Sequence, residues 1–220
     1  DSPRYAVIGW SVEGRAIESY TYGRGATRLA FVGGVHGGYE WNSILLAYAL
    51  MDYLRAYPES IPNTMSITVI PDANPDGVYD VIGTTGRFDS ADVPTGADLV
   101  PGRFNAHDVD LNRNFDCKWQ PESMWRGTIV SAGSAPFSEP EARAIRDFVF
   151  AQSPEAVVFL HSKSGAVYAS ECEDGILPTT LEIMRVYARA AGYLAINSFD
   201  AYEISGDAEG WLASIGIPAI

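Results

Sequence analysis

The sequence predicts an α/β fold, a mostly parallel mixed sheet covered by helices on both faces, and two observations carry that expectation. Short, continuously apolar runs at residues 29–35, 65–70 and 156–160 alternate with longer apolar-rich stretches, the order in which βα units are built. Turn-forming strings, Gly37-Gly38 and Asn74-Pro-Asp-Gly77, follow the first two runs closely, as tight strand exits require.

In chain order, Leu29-Ala-Phe-Val-Gly-Gly-Val35 reads as a short buried strand, and the glycine turn leads into a helix from about Trp41 to Ala56. Met65-Ser-Ile-Thr-Val-Ile70 is a second strand, with a turn at residues 74–77. Residues 83–108, rich in Gly, Pro and Asp, read as a long surface loop. Ser138-Glu-Pro-Glu141 has the form of a capping box with proline in the first turn, so a helix is expected from there through Ala144, Ile145, Phe148 and Val149. Another buried strand at 156–160 precedes a helix from about 180 to 191, with Leu181, Met184, Val186 and Tyr187 among its apolar positions. Neither an internal repeat nor a linker interrupts this series, so residues 1–220 are expected to form a single domain.

Composition limits the classes of function. A chain of 220 residues, 47% hydrophobic, is long enough to bury about two-thirds of its unfolded surface. Its net charge of −13 repels nucleic acid and anionic lipid, and no run of Lys or Arg reverses it locally. The longest apolar stretch, at 44–54, contains Asp52 and falls short of the ~20 residues of a membrane span. Two cysteines, Cys117 and Cys172, lack the C-x-x-C spacing of a redox motif or a four-thiolate zinc site. One disulfide, which fits an exported protein, and two separate thiols both remain open.

Of three histidines, His36 and His161 directly follow predicted strands. Ligands gather at the carboxyl ends of strands in open α/β sheets, so the two can converge although 125 positions separate them. Glu40 lies four residues after His36, across two glycines that permit a tight turn. Two imidazoles and a carboxylate leave the fourth tetrahedral position free, as catalytic zinc requires; the alternative for Glu40 is a first-turn helix residue favoured by the macrodipole. In Asp110-Leu-Asn-Arg-Asn-Phe115, Arg113 offers a planar fork for a carboxylate and Asn112 a further hydrogen bond, or else Arg113 pairs with Asp110 or Asp116 in a polar turn.

Together these strings resemble the zinc carboxypeptidases of the carboxypeptidase A type, in particular compact bacterial members, along nearly the whole chain. Gly9-x-Ser11-x-x-Gly14-Arg15 is similar to the opening strand signature, Val32-Gly-Gly-Val-His36-Gly37 with Glu40 to the first metal pair, and Asn74-Pro-Asp-Gly77 to a characteristic turn. Pro136-Phe-Ser-Glu-Pro-Glu141 resembles the helix before the third-ligand strand, and Leu160-His161-Ser162 that ligand. The resemblance implies one Zn2+ per chain on His36, Glu40 and His161, with Asn112 and Arg113 gripping the substrate's terminal carboxylate. It further implies that Arg103 polarises the scissile carbonyl. Tyr202-Glu-Ile-Ser-Gly-Asp-Ala-Glu-Gly-Trp211 is similar to the family's tyrosine loop, in which Tyr202 caps the substrate and Glu209 occupies the pocket floor, where it attracts a cationic side chain.

Two features depart from the family. The first histidine and glutamate are usually spaced H-x-x-E, whereas here Tyr39 stands in the glutamate's place and Glu40 follows; glycines absorb the extra residue, so the metal is assigned to Glu40. The general base is a glutamate on the strand after the tyrosine loop, and Ile217-Pro-Ala-Ile220 resembles the start of that strand. That glutamate, with a closing strand and helix, is expected beyond Ile220, in a C-terminal peptide that completes the fold. The function expected is a secreted metallocarboxypeptidase, extracellular or periplasmic, acting on peptides with a free C-terminal carboxylate. Alternatives are a cell-wall peptidase acting at diaminopimelate, an N-acyl amino acid deacylase, and a carboxylate-binding module without catalysis.

Overall fold

A computed structural model describes residues 2–220. Its centre is a five-stranded sheet in the order β1 (Arg4–Trp10), β2 (Ala16–Gly23), β4 (Met65–Ile70), β3 (Thr27–Val32), β7 (Ala156–Phe159). Strand β3 pairs in parallel with β4 on one side and β7 on the other, while β2 joins β4, and β1 joins β2, antiparallel. Ala219 adds a parallel bridge to Val157 on the far side of β7. The expected mixed sheet with a parallel centre is present.

Side chains alternate across the sheet. Ala30, Val32, Ile70, Val157 and Phe159 pack on one face against α3 (Pro140–Gln152) and α5 (Ala208–Ser214) through Ile145, Phe148, Trp211 and Leu212. Phe31, Val69 and Val158 face the opposite layer, where α1 (Trp41–Ala56) and α4 (Pro178–Ala191) supply Ile44, Ala47, Met51, Met184 and Ala188. Helix α1 has the expected bounds, and its buried positions recur every three or four residues.

Several elements differ from expectation, each for a local reason. The first strand ends at Val32; Gly33 N–H still bonds to Ile70 O at 2.8 Å, and the chain turns away at Gly34, at φ +67°. Asn74-Pro-Asp-Gly77 opens α2 (Pro75–Ile82): the Asn74 carboxamide oxygen accepts from Gly77 N–H at 3.0 Å and proline occupies the first turn. Ser138 does not cap α3, which starts after Glu139 without a side-chain cap; its hydroxyl donates to Glu139 and accepts from Asn114 instead. Residues 83–108 are largely irregular, yet Phe88, Arg103 and Asn105 are buried there and Pro101–Arg103 forms a 3-10 turn. Helix α4 begins two residues early, at Pro178. The short pairs β5 (Glu122–Trp125) with β6 (Thr128–Ser131), β8 (Ala166–Tyr168) with β11 (Leu194–Ile196), and β9 (Glu171–Cys172) with β10 (Gly175–Ile176) were not visible in the sequence pattern.

Cys117 and Cys172 form a disulfide, S–S 2.09 Å, across 55 residues of sequence. It fastens the segment after Phe115 to the β9–β10 hairpin. Closing a loop of that size removes about 4 kcal/mol of unfolded-state entropy, so the Cys117→Ser/Cys172→Ser variant is expected to melt on the order of 10 °C lower. Calorimetry checks this, and an unchanged Tm would contradict it.

Asp72 sits just past β4, buried, with its carboxylate accepting from Asn74 N–H at 3.1 Å and no cationic partner among the described residues. Burial, reinforced by nearby Asp76 and only partly offset by that N–H, lifts its pKa from 3.8 to about 7. Between those values the folded chain holds a proton that the unfolded chain has lost, so this carboxyl lowers stability progressively as pH rises through that window and no further above it. Asp72→Asn is therefore expected to match the parent near pH 4 and to exceed it at pH 8, by up to about 4 kcal/mol for roughly three pKa units. Urea unfolding at the two pH values measures the gap; a gap independent of pH would refute the assignment.

Candidate metal centre and substrate pocket

The route from β3 to the site is set by glycine. A Cβ on Gly34 would lie 2.7 Å from an Asp72 oxygen and 2.8 Å from Ile44, and one on Gly38 would lie 2.3 Å from Val81. Gly37, at φ +43°, starts the 3-10 turn Gly37–Glu40 that brings Glu40 back beside His36. On the neighbouring parallel strand, Leu160 N–H bonds to Val32 O at 2.8 Å, so His161 leaves β7 at the level where His36 leaves β3. The two rings come within 5.0 Å of each other, centroid to centroid.

One ligand atom each from His36, Glu40 and His161 lie within 4.8 Å of one another. Glu40 Oε2 is 3.1 Å from His161 Nδ1 and accepts from Ser162 N–H at 3.1 Å; two ligands on a tetrahedral zinc are separated by roughly 3.3 Å. Tyr39 turns away, its ring edge-on to Trp125 at 5.2 Å. The extra residue relative to H-x-x-E is thus taken up by the glycine turn, and the carboxylate reaches the cluster from position 40. His107, the third histidine, pairs with Glu139 at 2.7 Å and takes no part.

Burial, then the positive charges of Arg103, His161 and Arg113, holds the His36 pKa well below 6.5. Its ring is neutral, and Nδ1 has no hydrogen-bond partner, the nearest carboxylate, Asp110, being 3.5 Å away. A buried neutral imidazole with an orphaned nitrogen is in the state that binds metal. His161, its side chain 33% exposed, donates from Nε2 to Glu209 at 2.8 Å and from Nδ1 to Glu40. Desolvation opposes its charge, but the hydrogen bonds and charges of Glu209 and Glu40 outweigh it and push the pKa up to about 10. The donor set fits catalytic zinc, two imidazoles and one carboxylate with the fourth position left over.

Asp110, fully buried, was not singled out as a site residue in the sequence. It binds Arg103 through Nε at 2.9 Å and Nη2 at 2.7 Å, accepts from Asn112 N–H, and faces His36. Arg113, the partner expected for Asp110 in the polar-turn reading, pairs with neither Asp110 nor Asp116. It is 2% exposed, donates to Asn112 O, leaves Nε without a partner, and meets no carboxylate within ion-pair distance among the described residues. Asn112 accepts from Ala208 N–H and donates to Glu209 at 3.2 Å. Glu209, in the first turn of α5, bridges His161 and Asn112, and although burial opposes its charge, His161 keeps its pKa low. The Tyr202 ring stands 6.0 Å from the Arg113 guanidinium and edge-on to Phe199. The backbone of this loop is clamped to the site by Phe115 N–H to Gly206 O and Gly206 N–H to Cys117 O. Every residue expected at the site from the sequence lies in this one neighbourhood.

Strand ends deliver two imidazoles and a carboxylate to one point, beside two buried arginines, a donor set of the kind that mononuclear metallohydrolases use. Residues 2–210 match the model of the zinc carboxypeptidase family, peptidase family M14, and the chain belongs to that family. It is 26% identical over 217 residues to gamma-D-glutamyl-L-diamino acid endopeptidase 1 of Lysinibacillus sphaericus, covering 89% of this chain and 54% of the relative. The chain therefore spans about half the length of that curated relative. Among solved structures it is similar in fold to bovine thrombin-activatable fibrinolysis inhibitor (TM-score 0.75, 20% identity, all of this chain and 79% of that one). It is also similar to the murein-tripeptide amidase of Escherichia coli O157 (TM-score 0.69, 21% identity, 99% of this chain and 81% of that one).

Proposed function

We propose that this chain carries the zinc and substrate sites of a metallocarboxypeptidase that hydrolyses the C-terminal amide bond of peptides. The observation that carries the reading is Arg113, a buried arginine with no acidic partner among the described residues, set beside the His36, Glu40 and His161 cluster. Zinc held by those three residues would supply Lewis acidity at the scissile carbonyl and a water acidic enough to react near neutral pH. Arg113, with Asn112 beside it, binds the free carboxylate through its planar fork. Arg103, oriented by Asp110, stabilises charge developing on the carbonyl oxygen, where loss of one such donor costs about 100-fold or more in rate. Tyr202 closes over the bound terminus.

This reading requires a glutamate as proton acceptor on the strand to which residues 218–220 belong. Residues 218–220 run parallel to β7, with Val157 N–H on Pro218 O at 3.0 Å and Phe159 N–H on Ile220 O at 2.9 Å, which brings this strand alongside the one that leads into His161. The disulfide supports export to an oxidising compartment, extracellular or periplasmic.

Glu209 favours a cationic side chain on the residue released. This also supports a second reading, a peptidase acting at a diamino acid such as diaminopimelate in cell-wall peptides, in line with the activity for which the Lysinibacillus relative is named. Peptides ending in lysine, diaminopimelate or leucine, assayed with the full-length enzyme, separate the readings. A kcat/KM at least about tenfold higher for lysine than for leucine is expected from one buried charge pair, and higher still for diaminopimelate under the second reading. Preference for leucine would contradict the pocket assignment, and bound zinc with no turnover would leave a carboxylate-binding module.

A further inference from the structure

The β5–β6 hairpin presents an arginine that none of the roles above uses. Arg126 and Gly127, at φ +49° and +82°, form its tip, a two-residue turn of the kind that joins twisted strands. Trp125, 9% exposed, anchors the tip: it packs edge-on to Tyr39 at 5.2 Å and covers the Arg103 guanidinium at 4.4 Å. Arg126 Nη1 donates to the Tyr39 hydroxyl at 3.2 Å. Among the described residues no carboxylate lies within 4.0 Å of it, although acidic residues outnumber Lys and Arg by 28 to 15.

The hairpin is fixed to the site along its length. Asp110 N–H bonds to Ser131 O and Ala132 N–H to Pro121 O, and the Ser123 hydroxyl meets that of Ser205, in the loop after Tyr202. The residue released by hydrolysis belongs with Arg113, Asn112, Glu209 and Tyr202. Tyr39 adjoins Glu40, and its ring and that of Trp125 surround Arg103 at 5.9 and 4.4 Å from the guanidinium; among the described residues neither ring makes a hydrogen bond or ring contact with those four. If Arg103 marks the scissile carbonyl, as the carboxypeptidase reading has it, a cation held on Tyr39 beside it stands near the part of the substrate before the scissile bond.

We infer that Arg126, propped on Tyr39, recognises a carboxylate on the acyl part of the substrate, within the two residues before the scissile bond. This rests on the carboxypeptidase reading and adds to it a second specificity, opposite in charge to that of Glu209. The side chain of an α-linked acidic residue and the free α-carboxylate of a γ-linked glutamyl residue share this chemistry.

The test uses matched peptides ending in lysine, with Glu or Gln at each of the two positions before it, and γ-D-glutamyl-lysine with its α-carboxylate free or amidated. The expected result is a kcat/KM about tenfold higher for the acid member of a pair, acting mainly through KM, and a ratio near one in Arg126→Gln. Arg126→Glu reverses the preference. Whether α-linked or γ-linked pairs show the ratio identifies the source of the carboxylate. Equal treatment of all pairs by the parent enzyme, or an unchanged ratio in Arg126→Gln even with overall activity reduced, would overturn the inference. If no peptide is hydrolysed, the carboxypeptidase reading itself fails. Calorimetric titration of the same pairs into the protein then decides the role of Arg126 by the same ratio in Kd.

Discussion

Replacing His161 with alanine is expected to weaken zinc binding by at least about 100-fold and to abolish hydrolysis. The estimate is a lower bound, because even partners that only orient a metal ligand are worth 10 to 100-fold, and His161 is one of only three donors in the cluster. The loss is compounded by charge: without the imidazole, Glu40 and Glu209 lose their shared hydrogen-bond donor and stand in one pocket as two carboxylates. A signature in pH accompanies it. With a pKa of about 10 in the metal-free pocket, His161 is protonated across neutral pH, and zinc must displace that proton. Apparent affinity is therefore expected to rise about tenfold per pH unit between pH 6 and 8, with about one proton released per zinc. His161→Ala lacks that contribution to the release. Titration against a competing chelator in two buffers of different protonation enthalpy measures both quantities; affinity within tenfold of the parent would remove His161 from the centre.

The second large effect is expected at Arg113. Arg113→Ala should lower kcat/KM for a peptide with a free C-terminus by two or more orders of magnitude, since each charge-assisted hydrogen bond to a carboxylate contributes about 1.5–3 kcal/mol. Stability should move little or upward. Arg113 is a buried cation with one unsatisfied nitrogen and no ion-pair partner among the described residues, so its removal breaks no buried ion pair there. Loss of activity without loss of Tm separates a binding role from a structural one. Arg113→Lys should recover little, because it keeps the charge without the fork. A large fall in Tm with discrimination between acid and amide termini intact would show that the arginine serves the fold.

Much of the site was legible because its donors lie at strand ends. His36 and His161 each follow a short apolar run, and parallel pairing of adjacent strands carries both to one edge. The choice of Glu40 over Tyr39 followed from chemistry and from the glycines, and in the fold the Glu40 carboxylate lies in the cluster while the Tyr39 ring packs on Trp125. Asp110 was harder: two arginines lie within a few residues of it, and only the fold shows that it holds Arg103 and leaves Arg113 free. Asn74-Pro-Asp-Gly77 misled because the same residues serve a β-turn and a helix N-cap; what decided was whether an apolar helix face followed, and Val78 supplies one. The β5–β6 hairpin escaped notice because each strand has four residues and its Arg-Gly turn lacks the usual Asn or Asp signal. Pairing of Cys117 with Cys172 depends on the segment after Phe115 meeting the β9–β10 hairpin, which spacing alone does not encode.

The decisive measurement is hydrolysis by the full-length protein of one peptide ending in lysine, supplied as the free acid and as the C-terminal amide, with and without a zinc chelator. The expected result is one zinc per chain, cleavage of the acid and not the amide, loss of activity on chelation and recovery on adding zinc. Cleavage of both forms at similar rates, or cleavage that persists in metal-free protein, would contradict the assignment of Arg113 as the carboxylate anchor or of His36, Glu40 and His161 as the zinc centre.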